Sequence, residues 1–154
     1  MKIVIVDDEP KIRNGLSKLL SSRPGFEITG VFENAMEALE QLSVSYADVI
    51  ITDIKMPEIN GLDLINRIRE KDENTKIIIL SGYSDFSFAQ RAIELGVTRY
   101  LTKPTNVREL IGILEEIEKN IQKAKKLGYI VELHYVGVDS VDIAKSRVLD
   151  RVSK

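Results

Sequence analysis

Two features of the sequence, together with the handedness of crossovers, predict an α/β fold of the doubly wound, flavodoxin-like kind, with a parallel sheet in the order 2-1-3-4-5. Short aliphatic runs alternate with longer amphipathic stretches along the first 125 residues, which is the pattern of successive βα units. Two of the runs, Val49-Ile-Ile51 and Ile77-Ile-Ile-Leu80, are aliphatic throughout, and this fits strands covered on both faces. Right-handed crossovers leave few orders for such strands. The reactive edge of such a sheet lies beyond the C-terminal strand ends, at the switch point between strands 1 and 3.

Each element has its own signal. Lys2 to Val6 is an apolar run that stops at Asp7-Asp8-Glu9. Pro10 suits the first turn of a helix, and Ile12, Leu16, Leu19 and Leu20 give that helix one apolar face until Arg23-Pro-Gly25 ends it. Phe26 to Val31 is the second strand. Asn34 is placed to cap the second helix, with Glu37 three residues on; Ala38, Leu39 and Leu42 form its buried side. Asp48 to Thr52 is the third strand, followed by a loop forced by Pro57 and Asn60-Gly61. Gly61 to Glu70 is a helix, Lys76 to Leu80 a strand, and Asp85 to Leu95 a helix stopped by Gly96. Thr98 to Leu101 is the fifth strand. Asn106 then opens a long helix.

Composition narrows the function classes. The chain has 154 residues, 44% of them hydrophobic and 30% charged, with a formal net charge of −2. That charge makes no electrostatic case for binding nucleic acid or a membrane surface. The absence of cysteine excludes disulfides and thiolate metal sites. No apolar run approaches the ~20 residues of a membrane-spanning helix, and the N-terminus turns acidic too soon for a signal peptide. A cytoplasmic setting is the default expectation.

The strand ends carry the chemistry. Asp7 and Asp8 follow the first strand, Asp53 the third, Ser81 the fourth and Lys103 the fifth. Three crowded carboxylates repel one another unless one is protonated or a hard cation sits among them. Mg²⁺ fits such a site, since it takes oxygen ligands and is completed by a phosphate. Asp53 would then be a nucleophile toward phosphorus, with Lys103 and Ser81 as donors to the transferring group. Taken singly, each residue has a plainer reading. Asp7 and Asp8 could be solvated at a helix entry, Ser81-Gly82 a turn, Tyr100 a partly buried strand residue, and Lys55 a loop charge.

Four separated motifs agree in order and residue type with the receiver domain of two-component response regulators. Val6-Asp-Asp-Glu-Pro10 resembles its acidic pair, and Asp53-Ile-Lys-Met-Pro57 its phosphoacceptor loop. Ser81-Gly-Tyr83 resembles its hydroxyl position, and Tyr100-Leu-Thr-Lys-Pro104 its aromatic switch and lysine. The resemblance implies that Asp53 is phosphorylated by a sensor histidine kinase. It implies that Asp7, Asp8, Asp53 and the backbone carbonyl of Lys55 hold Mg²⁺, and that Ser81 and Lys103 bind the phosphoryl oxygens. Tyr100 would rotate inward with Ser81, and the Lys103–Pro104 peptide would be cis. The output would be a changed surface on helix 4, strand 5 and helix 5, met by a protein partner or a second copy of the chain. Two other classes fit less well. A flavodoxin-type cofactor binder needs a phosphate-cradling loop where this chain has Asp-Asp-Glu-Pro, and an aspartyl-phosphate hydrolase needs an aspartate where Lys55 stands.

The last helix raises a third reading, a phosphorylation-independent assembly module. Val107, Leu110, Leu114, Ile117, Ile121 and Ala124 repeat at heptad spacing. The first turns of that stripe suit a sheet, but beyond Ile117 it needs another partner. Residues 1–125 are thus expected to form the receiver and 126–154 an extension. Gly128 is expected to break the helix, Tyr129 to Val136 to form a sixth strand beside the fifth, and Asp139 to open a final helix. Gly128 to Lys154 resembles a short segment of zeta-toxin-like P-loop kinases, as in a join of two unrelated pieces. The chain contains no phosphate-binding Gly-x-x-x-x-Gly-Lys-Ser/Thr loop, so no kinase activity is implied.

Overall fold

The computed structural model describes residues 1–82 and 85–134. Strands β1 (Lys2–Val6), β2 (Glu27–Phe32), β3 (Val49–Thr52), β4 (Lys76–Ser81) and β5 (Arg99–Thr102) alternate with helices α1 (Pro10–Ser21), α2 (Ala35–Val44), α3 (Gly61–Lys71), α4 (Phe86–Glu94) and α5 (Val107–His134). The strands pair in parallel in the order β2-β1-β3-β4-β5, the expected topology.

The aliphatic runs fill two layers. Val4, Val6, Ile50, Ile77 and Ile79 share one buried cluster with Ala38 of α2, Leu64 and Ile65 of α3, and Ala92 of α4. The alternate residues Ile3, Ile5, Ile51, Ile78 and Leu80 are no more than 1% exposed, and strand alternation turns them to the other side. Full burial of each such side chain is worth about 1.5–3 kcal/mol, so a charge at any of these positions would unseat the sheet.

Short polar side chains fix the helix starts. The Asn34 side chain accepts the Glu37 N–H, Asn60 accepts that of Asp63, and Asp85 that of Ser87. The asparagine caps are each worth about 1 kcal/mol. Asn60 is thus both the end of a loop and the cap of α3. Gly96 adopts φ +69° after α4, the left-handed conformation that glycine takes at a helix C-terminus. Arg69 of α3 ties this end down by donating to the carbonyls of Leu95 (2.8 Å) and Gly96 (3.2 Å).

Helix α5 departs from expectation. It runs unbroken from Val107 to His134, so Gly128 lies inside it and residues 129–134 are helical, not a sixth strand. Glycine costs a helix interior only about 1 kcal/mol, whereas each further residue of a formed helix adds a hydrogen bond. A short apolar run such as Tyr129-Ile-Val-Glu-Leu-His134 cannot be assigned by periodicity alone. The rest of the expected strand, Tyr135 and Val136, and the helix from Asp139 lie outside the described residues. The expected boundary after residue 125 falls within α5. On that helix Leu110, Leu114 and Ile117 are buried, Ile121 and Ala124 are half-buried, and Leu127 is 60% exposed.

Candidate functional site

The site grows from the register of the strands. Val6 of β1 stands opposite Thr52 of β3, so the next residues, Asp7 and Asp53, leave the sheet side by side. The ladder continues one step: the Asp53 N–H donates to the Val6 carbonyl at 3.0 Å, and the Asp7 N–H to that of Phe32 at 3.1 Å. Both carboxylates are therefore held by backbone and are buried, at 2% and 5% exposure. The Asp53 carboxylate also accepts the Ile54 N–H at 2.7 Å.

Lys103 supplies the counter-charge. Ser81 stands opposite Thr102 across the β4–β5 pair, and the Lys103 N–H donates to the Ser81 carbonyl at 2.7 Å. The Lys103 side chain reaches Asp7 Oδ2 at 3.1 Å, Asp53 Oδ2 at 3.1 Å and Glu9 Oε1 at 3.3 Å. Burial pulls the ammonium pKa down, but its hydrogen bonds to the Asp7 and Asp53 carboxylates, and their charges, outweigh it and hold the group above its ordinary value. Burial pushes the Asp7 carboxyl up, against the lowering effect of the Glu9 N–H and Lys103.

The same carboxylates could hold a cation. Oxygen atoms of Asp7, Asp8 and Asp53 lie within 4.8 Å of one another. An all-oxygen set with one exposed member suits a hard ion that keeps some of its waters, as Mg²⁺ does. Asp8 is exposed, as is Lys55 in the β3–α3 loop. Ser81 is fully buried at the end of β4. Tyr100 is half-buried on β5 and lines a cavity of about 230 Å³ with Ala89, Ala92 and Ile93 of α4. The Lys103–Pro104 peptide is cis. Asp7, Asp8, Asp53 and Lys103 are thus brought together, with Ser81 beside Lys103 at the strand ends and Tyr100 set back against α4.

Sequence reasoning passed over three residues of this edge. Glu9 was only the tail of an acidic run, yet its carboxylate reaches Lys103. Gly61 reads as a turn former, but a Cβ there would run into the Asp53 carbonyl oxygen. Only glycine lets α3 start this close to β3. Glu58 has φ +68°, and the Ile59 N–H donates to the Pro57 carbonyl at 2.9 Å around it. That is a γ-turn with strain at its centre. Pro57 just before Glu58 and Gly61 three residues after it were the available signal for a tight loop.

Residues 3–115, which include every residue of this edge, match the model of the response regulator receiver domain. The chain belongs to that family. Among relatives of this receiver, the transcriptional regulatory protein YesN of Bacillus subtilis is 34% identical over 123 residues, covering 79% of the chain and 33% of YesN. The transcriptional regulatory protein HptR of Staphylococcus aureus is 36% identical over 121 residues, 78% of the chain and 47% of HptR. The receiver therefore spans between a third and a half of these two relatives. Among solved structures, the receiver domain of AraT, a response regulator from Geobacillus stearothermophilus, is 34% identical with a TM-score of 0.70, over 80% of this chain and 97% of that one. The response regulatory domain of mrkE from Klebsiella pneumoniae gives a TM-score of 0.72 at 28% identity, over 78% of this chain and 97% of that one. The family match ends at residue 115 and lends no support to the zeta-toxin-like resemblance beyond Gly128, whose expected strand is helical over 129–134.

Proposed function

We propose that Asp53 accepts a phosphoryl group from the phosphohistidine of a sensor histidine kinase. Asp7, Asp8, Asp53 and the backbone carbonyl of Lys55 would hold the Mg²⁺ that the transfer needs. The observation that carries this reading is the single ammonium of Lys103 bonded to both buried carboxylates, Asp7 and Asp53. A cation already binds where developing negative charge must be neutralised.

An oxygen of the Asp53 carboxylate forms the bond to phosphorus while the phosphorus–nitrogen bond breaks. The imidazole leaves with the electron pair and takes up a proton from solvent. Asp53 is fixed for this by its own N–H on Val6 and by the Ile54 N–H on its carboxylate. Lys103 and the Ser81 hydroxyl donate to the phosphoryl oxygens as charge spreads over them. Mg²⁺, when bound, screens the carboxylates from one another and from the incoming phosphoryl group. Hydrolysis of the acyl phosphate resets the domain. The chain modifies itself in this way and is a signalling domain, not an enzyme acting on a separate substrate.

The output is a change on the α4–β5 side, transmitted by Ser81 and Tyr100 and read with α5 by a protein partner or a second copy. Relatives named transcriptional regulatory proteins are two to three times as long as the part matched here. An output on DNA would belong to sequence outside that part; the contacts proposed for these residues are with protein. A cytoplasmic setting suits a histidine-kinase partner, and among the described residues no helix is long and apolar enough to cross a membrane. Residues 1–125 are assigned to the receiver and 126–154 to an extension of it.

Intact mass after incubation with a small-molecule phosphodonor and Mg²⁺ tests the core of this reading. The native chain should gain one phosphoryl group and Asp53→Asn none, since an amide is a poor nucleophile and a lost metal ligand. Undiminished labelling of D53N would sink the assignment.

A further inference from the structure

The geometry assigns Glu9 a positioning role: its carboxylate holds the Lys103 ammonium at the site when a divalent cation draws Asp7 and Asp53 away from it. This rests on the phosphoacceptor reading above and deepens it.

An ammonium has three donors, and those of Lys103 are matched by three carboxylate oxygens, on Asp7, Asp53 and Glu9. Two of the three, Asp7 and Asp53, belong to the group that could bind a metal; Glu9 does not. A cation that takes oxygens from Asp7 and Asp53 also stands close to a like charge. The Lys103 side chain is only 12% exposed, and a buried ammonium that loses its acceptors is costly. Glu9 lies on the rim, with its side chain 59% exposed, and can keep its bond throughout. It therefore leaves Lys103 tethered within reach of a phosphoryl group on Asp53, where a lysine without this acceptor would compete with the cation for the aspartates.

The local backbone explains why this glutamate is available. Glu9 occupies the N-cap position of α1, but its side chain makes no cap bond. Its own N–H is taken by Asp7 Oδ1 at 2.9 Å, and its carbonyl accepts the Arg13 N–H at 3.0 Å. The main chain is thus fixed from both sides. The side chain, one methylene longer than the aspartate that would suit a cap, is turned to Lys103 instead.

A double-mutant cycle on the full chain tests this, read by calorimetric titration with Mg²⁺ in the absence of any phosphodonor. Glu9→Ala should weaken Mg²⁺ binding by about two- to fivefold, the range for a partly exposed ion pair. In a K103M background, where no ammonium competes, the same substitution should weaken it by a clearly smaller factor. An equal factor in both backgrounds would mean that Glu9 acts on the cation or the fold directly. No effect in the native background would mean that it does not act at all. Either result overturns the inference. Since no phosphodonor is present, these outcomes are separate from the labelling of D53N, which decides the phosphoacceptor reading alone.

Discussion

Asp8 is the carboxylate of the acidic pair that stands in solvent, while Asp7 and Asp53 are buried. The three donors of Lys103 are engaged elsewhere, so Asp8, as a proposed ligand, would be the first to meet a hydrated cation. Asp8→Ala should weaken Mg²⁺ binding and slow phosphorylation without lowering stability, because no core contact is lost; Mg²⁺ titration and urea unfolding check the two halves. Unchanged affinity would reduce the acidic pair to a structural feature. Lys103 makes the complementary prediction for pH. Its folded pKa is raised, so its pairing contributes stability fully below the unfolded value of about 10.4 and loses it as pH rises through the folded value. Without Mg²⁺, the unfolding free energy should therefore fall between neutral and strongly alkaline pH, and fall less in Lys103→Met. Parallel curves for the two proteins would show that the pairing carries no such linkage. Asp7, Asp53 and Lys103 were legible in the sequence because strand ends place them whatever their rotamers. The bond from Lys103 to Glu9 was not, because it spans 94 positions and depends on which way one exposed side chain turns.

Among the elements, the β3–α3 connection bears most directly on the site. It begins at Asp53, turns sharply at Glu58 and ends where α3 starts, with the Gly61 N–H on the Ile54 carbonyl at 2.6 Å. Gly61→Ala places a methyl against the Asp53 carbonyl, which is backbone and can yield only if β3 or α3 shifts. Forced overpacking of this kind costs about 1–3 kcal/mol. Urea unfolding should register that loss, and the rate of adduct formation should drop with it as Asp53 moves. A variant of native stability and native rate would show that the loop accommodates the methyl. The elements themselves were readable from the sequence to within a residue or two wherever two signals coincided. The aliphatic run and flanking Asp of β3, and Asn34 with Glu37 at α2, are examples. Residues 129–134 offered one signal only. Gly128 suggested a stop, but an existing long helix tolerates one glycine, and the following run suits a strand and a helix equally.

On the scale of the whole molecule, the question is how the proposed phosphoryl group on Asp53 would alter a surface some distance away. The described path runs along the sheet. Ser81 ends β4, Tyr100 stands opposite Ile79 across the β4–β5 pair, and the Tyr100 ring packs against the cluster that holds Ala92 and Leu95 at the end of α4. Packed cores pass strain on because they hold few voids, and here a cavity of about 230 Å³ beside Tyr100 leaves room for a ring to change place. On the outer side of α4, Phe86 and Ile93 are 80% and 79% exposed, and their seven-residue spacing puts them on one face. A shift of Tyr100 would therefore move a helix that already offers an apolar face to a partner. Amide hydrogen exchange measures this coupling. Formation of the Asp53 adduct should change exchange rates in α4 and β5 by about 5- to 150-fold, the range of ordinary allosteric coupling. Ser81→Ala should still take up the phosphoryl group, though more slowly, and should lose that response, because it lacks the hydroxyl proposed to link the phosphate to β4. Unaltered exchange across residues 86–102 in the phosphorylated native chain would remove the switch. A full response in S81A would show that it runs by another route.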